Sequence, residues 1–219
     1  MIELIPAILA HTAEEAQDKC KIVEKATPWM QLDVIDGSFA PNTTWHDAHT
    51  FSTWNLPLQV ELDLMVMDPR RVIEEWLVVP TFKRAIWHVE CAIDHQALID
   101  FCRTHGLEIG LSLNPNTPIE TVRPFLHQID TILLLGVQPG FSGQILIRQT
   151  LQTLSNLHAS APNLPIEFDG GLTLQTISSV IAAGAARLCM SSAIFDTPDP
   201  WAAIQGIQQQ ILACADTSP

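Results

Sequence analysis

Trp29-Met30-Gln31-Leu32-Asp33-Val34-Ile35, followed at once by Asp36-Gly37, is the stretch that decides the fold. Its apolar residues occupy both faces of an extended chain, so it reads as a strand covered on both sides, the condition of a parallel sheet. The two polar residues, Gln31 and Asp33, lie two apart and therefore share one face. A strand that delivers a carboxylate just before an Asp-Gly turn is also a strand that leads to a site.

Working outward, runs of the same kind recur along the chain at Ile2–Leu9, Gln59–Val66, Arg84–Val89, Leu107–Leu113, Thr131–Val137, Pro165–Asp169 and Ala186–Met190. Helix signals lie between them. Thr12-Ala13-Glu14-Glu15 is a capping box that opens a helix running to about Ala26. Asp68-Pro69 supplies an N-cap and a first-turn proline ahead of Val72, Ile73, Trp76 and Leu77. Asp94 opens a helix that Gly106 closes, Thr173 opens one that ends at Gly184, and Asp199-Pro200 starts the last. Eight strands with intervening helices in 219 residues favour an α/β fold of the closed (β/α)8 TIM-barrel type, one domain over residues 1–219. From pattern alone an open doubly wound sheet is the alternative.

Composition narrows the function. The chain carries 24 acidic and 11 basic residues, a formal charge of −13, which repels a phosphate backbone and argues against nucleic acid as a partner. A small phosphorylated ligand needs only local donors and stays compatible. The five cysteines, Cys20, Cys91, Cys102, Cys189 and Cys214, share no short spacing, so no zinc motif is expected and a reducing cytoplasmic setting is. The N-terminus lacks a basic segment of the signal-peptide kind, and no apolar run reaches the length of a membrane span.

A barrel places its chemistry at the C-terminal ends of the strands and in the loops after them. Gln31 and Asp33 on the second strand, Glu61 and Asp63 on the third, and Glu167 and Asp169 on the seventh put carboxylates towards one mouth. Such acids repel unless a cation, a shared proton or a basic ligand offsets them. They also serve to cap loops or pair with arginines, and that reading stays open. Glycine clusters follow the sixth and seventh strands at Gly140-Phe141-Ser142-Gly143 and Gly170-Gly171, and Ser191-Ser192 follows the eighth. Amides in such loops make anion sites, and barrels often hold phosphate after strands seven and eight; turns use glycine as well. His88 ends the fourth strand, while His11, His46, His49 and Trp45 sit on loops near the mouth.

The order of these motifs resembles the ribulose-phosphate 3-epimerase family. The resemblance runs through Pro6-Ala7-Ile8-Leu9, Leu32-Asp33-Val34-Ile35-Asp36-Gly37, Leu62-Asp63-Leu64-Met65, His88-Val89-Glu90 and Asn114-Pro115-Asn116-Thr117-Pro118. It continues through Val137-Gln138-Pro139-Gly140-Phe141-Ser142-Gly143-Gln144, Phe168-Asp169-Gly170-Gly171 and Ser192-Ala193-Ile194-Phe195. It implies a barrel of the ribulose-phosphate-binding type that interconverts two pentulose 5-phosphates. Asp33 and Asp169 then remove and return the proton beside the ketone. The phosphate lies on Gly140, Phe141, Ser142, Gly143, Gly170, Gly171, Ser191 and Ser192, with Met65 lining the site. A homo-oligomer is also implied.

The pattern departs from the family where a divalent metal is usually held. The two histidine positions are Gln31 and Asp63, the usual serine is Ala7, and two usual methionines are Ile35 and Leu135. A metal site here would consist of Asp33, Asp169, Asp63 and Gln31, all oxygen donors, which suits magnesium, manganese or calcium rather than zinc or iron. Three readings follow: an epimerase with a remodelled or absent metal, a phosphosugar-binding relative without that activity, and a phosphosugar decarboxylase or lyase. The last is weakened because none of the four lysines, Lys19, Lys21, Lys25 and Lys83, ends a strand.

Overall fold

The apolar runs pair strictly in sequence order. The computed structural model describes residues 2–216, so Met1 and residues 217–219 of the expected domain lie outside the described residues. Strands β1 (Glu3–Ile8), β2 (Trp29–Ile35), β3 (Gln59–Met65), β4 (Phe82–His88), β5 (Glu108–Leu113), β6 (Thr131–Leu135), β7 (Ile166–Asp169) and β8 (Arg187–Met190) form one closed parallel barrel. Closure rests on β1 against β8, with Glu3 opposite Arg187 and Pro6 opposite Met190. That pairing rules out the open sheet.

The helices form where the caps predict, with some corrections. Helix α1 (Ala13–Val23) starts at Thr12, whose hydroxyl accepts from the Glu15 amide. The Glu15 carboxylate accepts from the His11 amide at 2.8 Å, one residue before the capping-box position. A five-residue helix, α2 (Ala48–Ser52), interrupts the long loop after β2. Asp68 and Asp94 cap α3 (Pro69–Trp76) and α4 (His95–Thr104) as expected. Between β5 and β6 the crossover consists of two short 3₁₀ turns, Ile119–Thr121 and Arg123–Phe125. Helix α5 (Gln149–Ser160) follows β6. The helix expected from Thr173 starts later, as α6 (Ile177–Ala182), because the Thr176 hydroxyl accepts from the Thr173 amide at 2.8 Å and makes a separate turn first. The short α7 (Ser192–Phe195) follows β8, and α8 (Pro200–Asp216) closes the chain behind Asp199.

The helices bury their apolar faces against the outside of the barrel, where Trp76, Trp87 and Phe168 are among the largest fully buried side chains. Inside the barrel the side chains divide into layers. At the level of Glu61, opposite Gln31 on β2 and Arg84 on β4, lies a layer of ion pairs. Arg84 bonds Glu61, reaches Glu167 at 3.1 Å and Glu108 at 2.6 Å, and lies 4.3 Å from the Trp29 ring centre. Arg187 pairs with Glu167 and with Glu3, both at 2.8 Å. Glu61 and Glu167 therefore do not belong to the mouth; two arginines neutralise them deeper in the barrel, the open reading of the pattern. Ile5, Ala7, Ile86, Leu133, Leu135 and Cys189 form an apolar cluster within the barrel.

Candidate active site

Two residues further towards the strand C-termini than Gln31 and Glu61, Asp33 stands opposite Asp63. Asp169 ends β7, and carboxylate oxygens of Asp33, Asp63 and Asp169 all lie within 4.8 Å of one another. Gln31 joins two of them. Its Nε2 donates to Asp33 Oδ1 at 2.8 Å and to Asp169 Oδ2 at 2.7 Å. Asp33 and Asp169 open onto a pocket, whereas Gln31 and Asp63 are fully buried beneath it and do not line it.

The pocket's wall is built by the loops after β6, β7 and β8. Gly140, Phe141, Ser142, Gly143, Gly170, Gly171, Ser191 and Ser192 all line it, and so does Met65. Two of these glycines are required sterically. Gly171 has φ +69°, and a Cβ there would stand 2.5 Å from the Leu146 backbone; at Gly170, φ +93°, it would stand 2.4 Å from Val137. Gly140 also accepts a 2.7 Å bond on its carbonyl from Asn42 Nδ2, which ties the loop after β2 to the loop after β6.

The fourth strand adds a residue whose placement the pattern left open. His88 is buried, and its Nδ1 meets Glu90 Oε2 at 3.2 Å. Glu90 also accepts from the Asn114 amide at 2.9 Å and bonds the Thr117 hydroxyl, so it joins the ends of β4 and β5. His88 Nε2 points towards Asp63 Oδ1, 3.9 Å away. That nitrogen, both Asp63 oxygens, Gln31 Oε1, Ser112 Oγ and Asn114 Oδ1 are buried without a protein partner. Ser112 had no signal in the sequence beyond being polar near a strand end, and Asn114 only its place in the Asn114–Pro118 motif. The other candidates stay out of the pocket. His11 and His46 bond backbone carbonyls of the loop after β2, and Trp45 stacks on Trp54 with ring centres 5.0 Å apart. Among the pocket-lining residues there is no lysine.

The electrostatics follow from three acids with few donors. Burial raises the Asp33 carboxyl to about 6 although the Gln31 bond opposes it. Burial, then the Asp33 charge, raises Asp169 to about 8. Burial, then Asp33 and Asp169, holds Asp63 well above the carboxylate range, while burial keeps the His88 imidazole below its usual value.

A raised carboxyl keeps in the folded state a proton that the unfolded chain has already released. Its stabilising contribution is present at low pH and is lost as pH rises through the folded-state value. The buried histidines act in the opposite sense below about pH 6.5, so the clean window lies above it. In buffers free of divalent ions, the melting temperature is expected to fall by several degrees between about pH 6.5 and 8.5. Asp169→Asn, which removes the carboxyl held at about 8, is expected to reduce that slope in circular-dichroism melts. A rising melting temperature would mean that these acids are already ionised in the folded protein.

The donor set fits a hard cation. Asp33, Asp63 and Asp169 form an all-oxygen group that could hold magnesium or manganese, both Asp63 oxygens being unpartnered, with the His88 Nε2 3.9 Å from Asp63 Oδ1 at its edge.

Comparison with known proteins places the chain in a family. The chain matches the description of the ribulose-phosphate 3 epimerase family over residues 3–195. It is 32% identical to the ribulose-phosphate 3-epimerase of Bacillus subtilis, covering 95% of this chain and 99% of that protein. It is 35% identical to the chloroplastic ribulose-5-phosphate-3-epimerase of Arabidopsis thaliana, covering 93% and 75%. Among solved structures, the 3-hexulose-6-phosphate synthase of Salmonella typhimurium superposes with a TM-score of 0.74 at 16% identity, covering 97% of this chain and all of that one, which speaks to the fold alone. With a match over residues 3–195 and relatives at 32% and 35% identity, the chain belongs to the ribulose-phosphate 3-epimerase family.

Proposed function

We propose that this protein is a sugar-phosphate epimerase that inverts the carbon next to the ketone of ribulose 5-phosphate or a closely related pentulose 5-phosphate. One observation carries the reading. Two acids from β2 and β7 open onto one pocket, and its remaining wall is glycine-rich loop of the kind that receives a phosphoryl group.

The phosphoryl group lies against Gly140–Gly143, Gly170-Gly171 and Ser191-Ser192, which fixes the sugar's register over the acids. The ionised member of the Asp33–Asp169 pair takes the proton from the carbon beside the ketone. The C–H electron pair becomes the new carbon–carbon double bond, and the carbonyl pair moves onto oxygen, giving an enediolate. The protonated member returns a proton to the opposite face, and the carbonyl re-forms. Different carboxyl affinities suit this division, because one acid must start charged and the other neutral. Met65 and Leu135 close the site around the carbon skeleton.

Asp33, Asp63, Asp169 and Gln31 Oε1 are the residues that would hold a divalent cation, which when bound supplies an electrophile for the developing negative charge. The lysine-dependent lyase reading finds no support, since no lysine lines the pocket among the described residues.

The test is solvent deuterium exchange with ribulose 5-phosphate, run with EDTA and then with added magnesium, manganese, zinc or iron. Deuterium is expected at the carbon beside the ketone, together with formation of the epimer. Binding of the sugar phosphate without exchange under every condition would make the protein a phosphosugar-binding relative instead.

A further inference from the structure

Asp33 and Asp169 sit on strands that are not neighbours; β1 and β8 lie between β2 and β7 in the barrel. No backbone pairing therefore fixes the distance between the two carboxylates. Both are short on solvent and of like sign, so each raises the cost of the other's charge. The group that joins them is the Gln31 carboxamide, with both protons of Nε2 directed to an acid, at 2.8 and 2.7 Å. The orientation of that amide follows from the ionised member of the pair, which only accepts, while the neutral member accepts on its carbonyl oxygen, so nitrogen serves both. The opposite edge, Oε1, is buried with no partner. Gln31 itself is fully buried, beside Ala7 on one strand and Glu61 on the other, so the stem has one direction to take.

We propose that Gln31 is a positioning residue: its NH2 bridge holds Asp33 and Asp169 at working separation without a metal, and its amide turns over to present Oε1 when a hard cation enters. This rests on the epimerase reading of the same pocket and deepens it. Few side chains meet the requirement. Leucine and methionine offer no donor, and glutamate would add a fourth carboxylate. Histidine in this position offers one nitrogen at a time towards the acids and suits a borderline metal better than a hard one. Asparagine is shorter by a methylene and falls short of both oxygens. The substituted residue is thus not a lost ligand but a donor of the right reach, and the two acids keep their mutual geometry when a chelator removes divalent ions.

The experiment compares the parent with Gln31→Met, which keeps length and apolar volume, and with Gln31→His, each first shown to be folded by its melting curve. Exchange and epimerisation are measured in EDTA, with KM and kcat separated. The parent is expected to keep its activity in EDTA. Gln31→Met is expected to lose about 10²-fold in kcat, the cost of misplacing acids by an ångström, with KM nearly unchanged because the phosphate loops are untouched. Gln31→His is expected to lose activity in EDTA and regain it with zinc, whose binding calorimetry measures directly.

A second readout needs no turnover. In the 1H–15N spectrum of labelled protein, the Gln31 side-chain amide, identified by its loss in Gln31→Met, is expected downfield and slow to exchange with solvent. It is expected to shift on titration with magnesium. A parent that loses all exchange in EDTA, or a Gln31 amide that exchanges like an exposed one, overturns the bridge. Sugar-phosphate binding with no exchange in any variant, with the protected amide present, overturns the epimerase reading and leaves the bridge standing.

Discussion

Asp33→Asn is expected to lower solvent exchange and epimerisation about a thousandfold, and Asp169→Asn likewise, with the affinity for the phosphorylated sugar largely kept. The size follows from general acid–base catalysis, where a positioned acid or base contributes roughly 10²–10⁴-fold. An amide of the same shape neither accepts nor returns the carbon-bound proton. The loss is expected in kcat, because neither aspartate belongs to the loops at Gly140–Gly143, Gly170-Gly171 and Ser191-Ser192. The double variant is expected to be hardly worse than either single one, since removing one partner already halts the cycle. Single-turnover exchange at the carbon beside the ketone checks this. Residual exchange above half of the parent in either variant would remove that aspartate from the proton path.

Arg84→Ala is expected to destabilise the fold by about 3–5 kcal/mol. Arg84 is almost fully buried and bonds Glu61, Glu167 and Glu108. Truncation leaves Glu61 and Glu167 buried with less positive charge beside them, and Arg187 can answer only part of the deficit. Arg84→Met, which also removes the charge, is expected to behave much the same and shows that the loss is electrostatic, not volumetric. As a contrast, the Arg71–Glu75 pair at 2.9 Å has side chains 53% and 49% exposed. Arg71→Ala is expected to change stability by less than about 1 kcal/mol. Denaturant unfolding monitored by circular dichroism decides both; equal losses would refute the assignment of the lower layer.

Most of the fold is legible in the sequence because the barrel's strands are long runs with apolar residues on both faces, and that signal survives without any contact being known. Trp29–Ile35 is read to the residue, and Asp68 and Asp94 cap their helices as the pattern indicates. The missed features are those that depend on three-dimensional pairing. Glu61 and Glu167 share a face with Asp63 and Asp169 but lie one pleat earlier on their strands, further from the mouth. That an arginine answers them there depends on the stagger between strands, which places Arg84 opposite Glu61. The Thr173–Thr176 turn delayed α6 because both threonines satisfy a helix start equally well by sequence. The candidate site was legible where turn chemistry and acids coincide, at Asp33-to-Gly37 and at Asp169-Gly170-Gly171. The unpartnered Ser112 and Asn114 atoms were not, since only burial makes a polar atom conspicuous.

The arginine layer has a consequence for how such a protein changes over generations. Charge at the bottom of the barrel is neutralised by residues that never meet a ligand, so the barrel's survival does not ride on what the upper storey binds. Side chains of the upper layer, Gln31 and Asp63 among them, can then be exchanged one at a time with the barrel still folding, and what the mouth holds is free to drift while the scaffold stays put.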